Sequence, residues 1–227
     1  MSASSAPQQP TQPPLLPTLS ALLPLASLAS TTSTISLLSI HSEPYTHHDV
    51  VYLNTQPVLP GQHRFLRLRA SGSKGGSKPP SSSSSSSSAL SLAYLSARLR
   101  EYEDDDVSVK AIVEVDLAGQ SGKDDVQDFV KTLGFVYSHE YTRSGILFHI
   151  PLPHPTLTLH LTISRLALPL NSSPSTPSSE PYLVQLQPSR PISGVAARGE
   201  LGMTELVDLM RATADRIDGL EWGSGVL

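Results

Sequence analysis

The sequence contains no cysteine, which excludes a disulfide framework, a thiolate metal site and a catalytic thiol. It also lacks an excess of positive charge, because 16 Lys and Arg residues stand against 20 Asp and Glu residues and give a net charge of −4. A general nucleic-acid-binding protein needs a basic surface for its phosphate contacts, so this composition argues against that class.

The first part of the chain lacks positive charge and long apolar runs. No Lys or Arg precedes Arg64, so the apolar residues 15–38 do not have the charged flank of a secretory signal. Pro17 and Pro24 interrupt this stretch, and no window reaches the roughly 18 apolar residues of a membrane-spanning helix. Residues 1–33 are rich in Pro, Ser, Ala and Thr, and we expect a disordered tail there.

Two low-complexity segments divide what remains. Residues 71–88 combine Gly, Lys and Pro with a run of serines, and they are predicted to be a flexible insert. Residues 170–181 are predicted to be a loop of the same kind. Residues 34–227 are then expected to form one domain, long enough for a real core.

Period-two alternation predicts strands in much of this domain. In residues 107–117 the apolar side chains are Val107, Val109, Ala111, Val113, Val115 and Leu117, with Ile112 as an exception to the alternation. Residues 157–167 repeat the pattern. Residues 50–53, 65–70 and 182–187 are predicted strands, and residues 91–95 form a short strand or helix.

The segment 121–150 predicts a helix followed by a hairpin. Its helix has an apolar face of Val126, Phe129, Val130 and Leu133. Gly134 suits the left-handed position that ends a helix. The hairpin turn is placed at Ser144-Gly145, and a second helix is predicted over residues 204–220, with Thr204 as its cap.

These elements predict the α+β class, mainly β. About eight strands and two helices without βαβ alternation indicate an antiparallel sheet. Eight strands is the size at which a barrel can close, so we expect a closed or nearly closed β-barrel with two packed helices.

Charged pairs on two predicted strands could carry chemistry. Glu114 and Asp116 share one strand face, and Arg67 and Arg69 share another. Inside a barrel they could hold a divalent cation and a polyphosphate. A half-exposed strand shows the same alternation on a solvated outer face, and this second interpretation is favoured because no third acidic residue completes a metal cage.

The histidines do not predict a metal site. His47, His48 and Asp49 could be a metal-ligand cluster, but His47 and His48 are adjacent and would point to opposite faces of a strand. The same argument applies to His139 and Glu140. The remaining candidates, His149, His154 and His160, lack ligand spacing. Ser144 lacks the first glycine of a nucleophile elbow, and residues 72–76 lack a phosphate-loop frame. The sequence therefore predicts no catalytic residue, metal or cofactor.

An ordered set of motifs resembles the Mediator subunit 18 family. The signature is Phe129, Leu133, Gly134 and Phe135, then His139, Glu140 and Tyr141, then Gly145 and Phe148. Similar segments are residues 46–52, 64–69, 182–186 and the closing helix at 206–220. The resemblance covers roughly residues 45–227. The family begins with a strand and a helix, whereas residues 21–40 are rich in Pro, Thr and Ser and do not predict both.

The resemblance implies a non-enzymatic, nuclear scaffold in the Mediator head module, a coactivator of RNA polymerase II transcription. It implies a barrel that pairs with subunit 20 and receives a C-terminal helix of subunit 8. RNA polymerase II would be reached through the assembled complex, without sequence-specific DNA binding or a membrane. The family's barrel resembles that of tunnel-type RNA triphosphatases.

Three hypotheses follow. A scaffold needs exposed apolar residues at its interfaces, and Ile112, Leu166 and Leu168 are the candidates. A metal-dependent triphosphatase of the tunnel-barrel type would use Glu114 and Asp116 on the metal and Arg67 and Arg69 on phosphate. It ranks lower because residues 157–167 offer no carboxylate. A β-rich domain with another binding role is the third.

Overall fold

The computed structural model describes residues 12–54, 64–72, 89–102, 106–117, 123–154, 157–168, 181–196 and 199–223. These residues contain eight strands: β1 (Leu15–Leu23), β2 (His41–Asn54), β3 (Phe65–Gly72), β4 (Ala89–Arg98), β5 (Ser108–Leu117), β6 (Phe135–Pro151), β7 (Thr158–Ala167) and β8 (Tyr182–Pro188). They also contain three α-helices, α1 (Leu28–Leu38), α2 (Lys123–Thr132) and α3 (Met203–Ala214).

The strands form a closed antiparallel barrel in the order β1-β5-β4-β3-β2-β6-β7-β8. Closure depends on β1, which divides its pairing between two strands. Residues 15–18 pair with β5, and residues 19–23 pair with β8. The predicted α+β, mainly β class and the eight-stranded barrel are confirmed, whereas the described residues hold three α-helices rather than two.

The apolar faces of the strands point outward, where the helices cover much of them, although Val113 and Val115 of β5 are exposed. One cluster packs α3 and α1 against β1, β7 and β8, with Leu19, Leu161 and Leu206 fully buried. A second cluster packs α2 against β2 and β3, around Val130 and Leu68. Because both clusters use the same face of one closed sheet, that face is the outside of the barrel.

The opposite face encloses a polar lumen. Cross-strand partners share a face, so the register places these side chains on it: Ser20, His47, Asp49, Arg67, Arg69, Ser91, Lys110, Glu114, Asp116, Tyr141, Arg143, Thr162, Ser164 and Gln185. The Arg143 guanidinium of β6 donates to Gln185 Oε1 of β8, 2.5 Å away and past β7. The favoured interpretation of Arg67 and Arg69 as a solvated outer face was therefore wrong.

The prediction of a disordered tail over residues 1–33 was also wrong from Leu15 onward. β1 alternates apolar residues on the covered face, and Pro17 is accommodated opposite Val109. Helix α1 buries Thr31 and Ile35, and the Ser30 hydroxyl donates to the Ser27 carbonyl. Hydroxyl side chains that bond within their own helix explain why this Ser/Thr-rich segment gave little helical signal. Residues 1–11 lie outside the described residues.

The predicted hairpin at Ser144-Gly145 is one continuous strand, β6. Gly145 pairs with Tyr45 on one side and Ser164 on the other. A Cβ at Gly145 would lie 2.0 Å from the Ile163 carbonyl oxygen, so the glycine permits close strand approach rather than a turn. Gly134, by contrast, has the predicted left-handed conformation, with φ of 82°.

Two other boundaries differ from the predictions. Helix α3 ends at Ala214 instead of residue 220, and its N-cap is Gly202 rather than Thr204. Ser71 and Gly72 belong to β3, while residues 73–88 of the predicted insert and 170–180 of the predicted loop lie outside the described residues.

None of the described helices has the length and apolar character needed to cross a membrane.

Substitution of Gly145 tests the close approach of β6 and β7. Gly145→Ala is expected to lower the free energy of unfolding by about 2–3 kcal/mol, because the strands must separate to admit the methyl group. In the matched control Gly202→Ala, the added methyl group lies in open space at a residue with φ of −73°. This control should change the free energy of unfolding by about 0.5 kcal/mol or less. Urea unfolding followed by far-UV circular dichroism measures both, and equal losses would contradict this account.

Candidate functional site

The centre of the lumen is an ion pair between Asp49 of β2 and Arg69 of β3. These residues are cross-strand partners, and Arg69 donates from Nε to Asp49 Oδ1 at 2.8 Å and from Nη2 to Oδ2 at 3.0 Å. The Asp49 side chain is fully buried, whereas Arg69 keeps 18% of its side-chain surface exposed. Burial raises the pKa of Asp49, but the hydrogen bonds and charge of Arg69 outweigh it and hold that pKa below its usual value.

Three more cations face the same space. Arg67, Lys110 and Arg143 project from β3, β5 and β6. Burial, and then the charge of Arg69, lowers the pKa of Arg67. Burial, and then the charge of Arg67, lowers the pKa of Lys110. These cations therefore repel one another, and the charges of Asp49 and Glu114 oppose that effect at Arg67.

The predicted acidic pair lies in line with Arg67 and Arg69 across one intervening strand, because Ala93 and Ser91 of β4 pair with these arginines on one side and with Glu114 and Asp116 on the other. Glu114 and Asp116 are on the lumen side of β5, beyond the point where β5 pairs with β1, and both are exposed. The Glu114 carboxylate accepts a hydrogen bond from the Ser91 hydroxyl at 2.9 Å. Among the described residues, no group of three His, Asp or Glu side chains could hold a metal ion.

His47 and His48 point to opposite sides of β2, as predicted. His48 Nε2 lies 3.7 Å from the Glu140 carboxylate. His47 lies in the lumen, next to the Tyr45 ring. Burial, followed by the charge of Arg69, lowers the pKa of His47 to about 4.

A row of histidines crosses β2, β6 and β7. His149 pairs with His41 and His160 on either side, with ring centroids 5.5 and 4.7 Å apart. Glu43 Oε1 is 3.4 Å from His149 Nε2. Burial and the neighbouring His149 lower the pKa of His160. His41 is far from the other two histidines in sequence, and the register of β2 with β6 brings it beside them.

The other histidine candidates are separate from the lumen centre. His139 is exposed and stacks on Tyr141 at 5.9 Å. His154 lines a small cleft with Arg190, Ser193 and Glu200. His154 and Glu200 have further partners, so this cleft is a weaker candidate than the lumen.

The candidate interface residues have different environments. Ile112 is only 2% exposed and lies on the lumen face of β5, so its prediction as an interface residue was wrong. Leu166 and Leu168, at the end of β7, are exposed. The predicted apolar face of α2 is split, because Val126 and Val130 are buried whereas Phe129 and Leu133 are exposed.

Comparison of the chain with known proteins was informative only at the level of structure. No family model matches the sequence, and no curated protein matches it. The fold is similar to a chain of the Schizosaccharomyces pombe Mediator head module, with 14% identity, a TM-score of 0.58, and coverage of 92% of this chain and 98% of that one.

The same fold occurs in two proteins connected with nucleotide chemistry. A Vibrio parahaemolyticus protein proposed to be an adenylate cyclase matches with 10% identity, a TM-score of 0.52, and coverage of 92% of this chain and 91% of that one. A Hippeastrum protein, also proposed to be an adenylyl cyclase but with a dominant triphosphatase activity, matches with 8% identity, a TM-score of 0.50, and coverage of 94% and 91%. These similarities establish the fold and do not separate the two kinds of function.

Removal of the buried carboxylate tests the ion pair. Asp49→Ala is expected to lower the free energy of unfolding by about 3 kcal/mol or more, because it leaves Arg69 without its partner in the lumen. The control Asp128→Ala removes the exposed pair with Lys131 and should cost less than about 1 kcal/mol. Urea unfolding distinguishes the two, and a loss below 1 kcal/mol for Asp49→Ala would contradict the assigned role.

His47 predicts acid sensitivity in a defined pH window. Its pKa is 6.5 when unfolded and about 4 in the fold, so the unfolded chain takes up the proton first as the pH falls. The stability conferred by the neutral ring is complete above pH 6.5 and is lost between pH 6.5 and 4, at well below ~1.4 kcal/mol per pH unit because solvent screens the partly exposed ring. His47→Gln should make the free energy of unfolding depend less on pH in this window. An unchanged slope of this free energy against pH would contradict the prediction.

Proposed function

We propose that this chain is a non-catalytic scaffold subunit of the Mediator head module, corresponding to subunit 18. It acts in the nucleus in the regulation of RNA polymerase II transcription. Its direct partners are the subunit 20 barrel and a C-terminal helix of subunit 8, and it reaches the polymerase through the assembled complex.

The observation that carries the proposal is the ordered family signature. It starts on α2 at Phe129, passes the helix stop at Gly134, and continues along β6 to Phe148. Within this signature, position 145 requires glycine, because a Cβ there would lie 2.0 Å from the Ile163 carbonyl oxygen. The similarity in fold to a chain of the yeast Mediator head module supports the proposal.

The lumen supports the non-catalytic part of the proposal. Its one fully buried carboxylate, among the described residues, is neutralised by Arg69. Glu114 and Asp116 are exposed and do not converge with Asp49 on one ligand position. A metal-dependent phosphohydrolase needs several carboxylate oxygens around one cation.

Exposed apolar side chains support a binding role. Phe129 and Leu133 at the end of α2, and Val136 and Tyr137 at the start of β6, are all exposed. Leu168, which follows β7, is 67% exposed. Apolar surface of this kind is what association with another barrel or with an amphipathic helix buries.

A tunnel-barrel triphosphatase is the second candidate. Arg67 and Arg69 face the lumen, where they could contact phosphate, and the Hippeastrum protein of similar fold has triphosphatase activity. It ranks second because the acidic pair that would bind the metal is separated from the buried carboxylate.

Co-expression with partner subunits tests the scaffold proposal. When subunit 20 and the subunit 8 helix are taken from the same organism as each other, the chain is expected to co-elute with both in size-exclusion chromatography. Leu168→Glu should reduce the co-eluting fraction at least threefold, because a charge would be buried in the contact. The matched control is Val195→Glu, at a residue that is 70% exposed, and it should leave co-elution unchanged.

Two results would argue against the scaffold proposal. Failure of the unmodified chain to co-elute would overturn the partner assignment. Phosphate release from a triphosphate substrate with Mg²⁺ or Mn²⁺, abolished by Glu114→Ala, would establish the triphosphatase instead.

A further inference from the structure

The second half of β5 is paired on one side only. Its pairing with β1 runs from Ser108 to Ala111, and one further hydrogen bond follows, from the Ile112 amide to the Pro14 carbonyl at 2.9 Å. Its pairing with β4 continues to Leu117. Within the described part of the chain, residues 113–117 therefore form a strand edge with no paired strand on the β1 side, which we call the β5 edge.

Backbone groups along the β5 edge are directed toward the open side. In an antiparallel pair, alternate residues direct their N–H and C=O groups to the same neighbour. Because the Ile112 amide bonds to the β1 side, the backbone groups of Glu114 and Asp116 face that side as well. No described residue bonds to them there. A further strand could therefore continue the ladder that β1 begins.

Exposure of β5 changes where its pairing with β1 ends. In the first half, Val109 and Ala111 are buried, whereas residues 113–116 are all exposed. Val113 is 46% exposed and Val115 is 56% exposed, and both lie on the outer face of the barrel. The two carboxylates between and after them lie on the lumen face. An added strand would cover apolar surface on one face and meet negative charge on the other.

The charge of the β5 edge favours a basic partner. Residues directly opposite on neighbouring strands have Cβ atoms roughly 5 Å apart, so a residue added opposite Glu114 or Asp116 would meet a carboxylate. Arg67 is aligned with Glu114 across β4, which places it about 14 Å, or three strand spacings, from the added residue. Salt screens the repulsion from Arg67 more than the attraction of the nearer carboxylates.

A second copy of the chain does not suit this edge. Pairing of two β5 edges would place Glu114 and Asp116 of one copy opposite the same carboxylates of the other, and like charges in this position destabilise a strand pair. An extended segment in which basic and β-branched apolar residues alternate suits both faces. Its basic side chains would lie opposite the carboxylates, and its apolar side chains would lie beside Val113 and Val115.

We propose that the β5 edge binds an extended segment of a partner protein by strand addition. Basic side chains of the segment lie against Glu114 and Asp116, and aliphatic side chains lie beside Val113 and Val115. The acidic pair then serves recognition rather than metal binding. Strand addition differs from the helix and barrel contacts of the scaffold role, so the inference goes beyond that role and does not depend on it.

Titration with a synthetic peptide tests the β5 edge. A fluorescein-labelled hexapeptide of alternating arginine and valine is added to the full chain, and fluorescence anisotropy should show saturable binding. A peptide with glutamate in place of arginine should bind roughly tenfold more weakly or worse, because its charges oppose Glu114 and Asp116. Binding of the basic peptide should weaken when NaCl is raised from 0.05 to 0.5 M.

N-methylated peptides distinguish strand addition from charge attraction alone. In the pairing that continues from Ile112 and Pro14, residues opposite Glu114 and Asp116 direct their amides toward β5. Methylation of the arginine amides should therefore raise Kd roughly tenfold or more, because the ladder hydrogen bonds are lost. Methylation of the valine amides, which face away from β5, should leave Kd within about twofold.

Matched variants localise the peptide on β5. Glu114→Gln combined with Asp116→Asn should raise Kd about fivefold or more, because two cross-strand charge pairs are lost. The control, Glu205→Gln combined with Asp218→Asn, removes the same charge from exposed positions on and beyond α3. It should leave Kd within about twofold. All four residues are exposed, so far-UV circular dichroism should show both double variants folded.

Four outcomes would overturn the proposal. These are no saturable binding by the unmodified chain, equal effects of the two methylation patterns, an unchanged Kd in the β5 double variant, or a dimer in sedimentation equilibrium that the peptide dissociates. The last result would assign the edge to a second copy. Co-elution with Mediator subunits is measured separately, so failure of either experiment leaves the other interpretable.

Discussion

Closure of the sheet by β1 is the constraint on which the other features depend. One nine-residue strand holds β5 with its first half and β8 with its second. Once the sheet is closed, one face of every strand is enclosed and the other is available to helices. The helices cover much of the apolar face, so the polar face becomes the interior, and its charged groups act on one another at close range.

Stability and chemistry consequently occupy opposite faces of the same strands. On β3, Leu66 and Leu68 pack beneath α2, while Arg67 and Arg69 line the lumen. A strand can therefore change its lumen residues without losing the packing that holds it in place. This separation is consistent with the occurrence of one barrel fold in a chain of the Mediator head module and in a protein with triphosphatase activity.

The sequence predicted the fold class because alternation, the helix stop at Gly134 and the lack of βαβ order are local signals. It did not predict which face is inside, because period-two alternation is the same for a solvated and an enclosed polar face. Asp49 was considered only as part of a metal-ligand cluster with His47 and His48, and its ion pair was missed because Arg69 is twenty residues away on the next strand. Ile112 interrupts the alternation in the sequence, but the register explains its position as a buried residue of the lumen face.

The pairing of β1 with β8 also determines when the molecule can be completed. Leu19 pairs with Leu186, so most of the chain must be synthesised before the ladder between β1 and β8 can form. Pairings this distant in sequence fold slowly, and an apolar strand with an open edge is prone to aggregate in the meantime. Until β8 has been made, residues 19–23 of β1 therefore present an unpaired edge together with an uncovered apolar face.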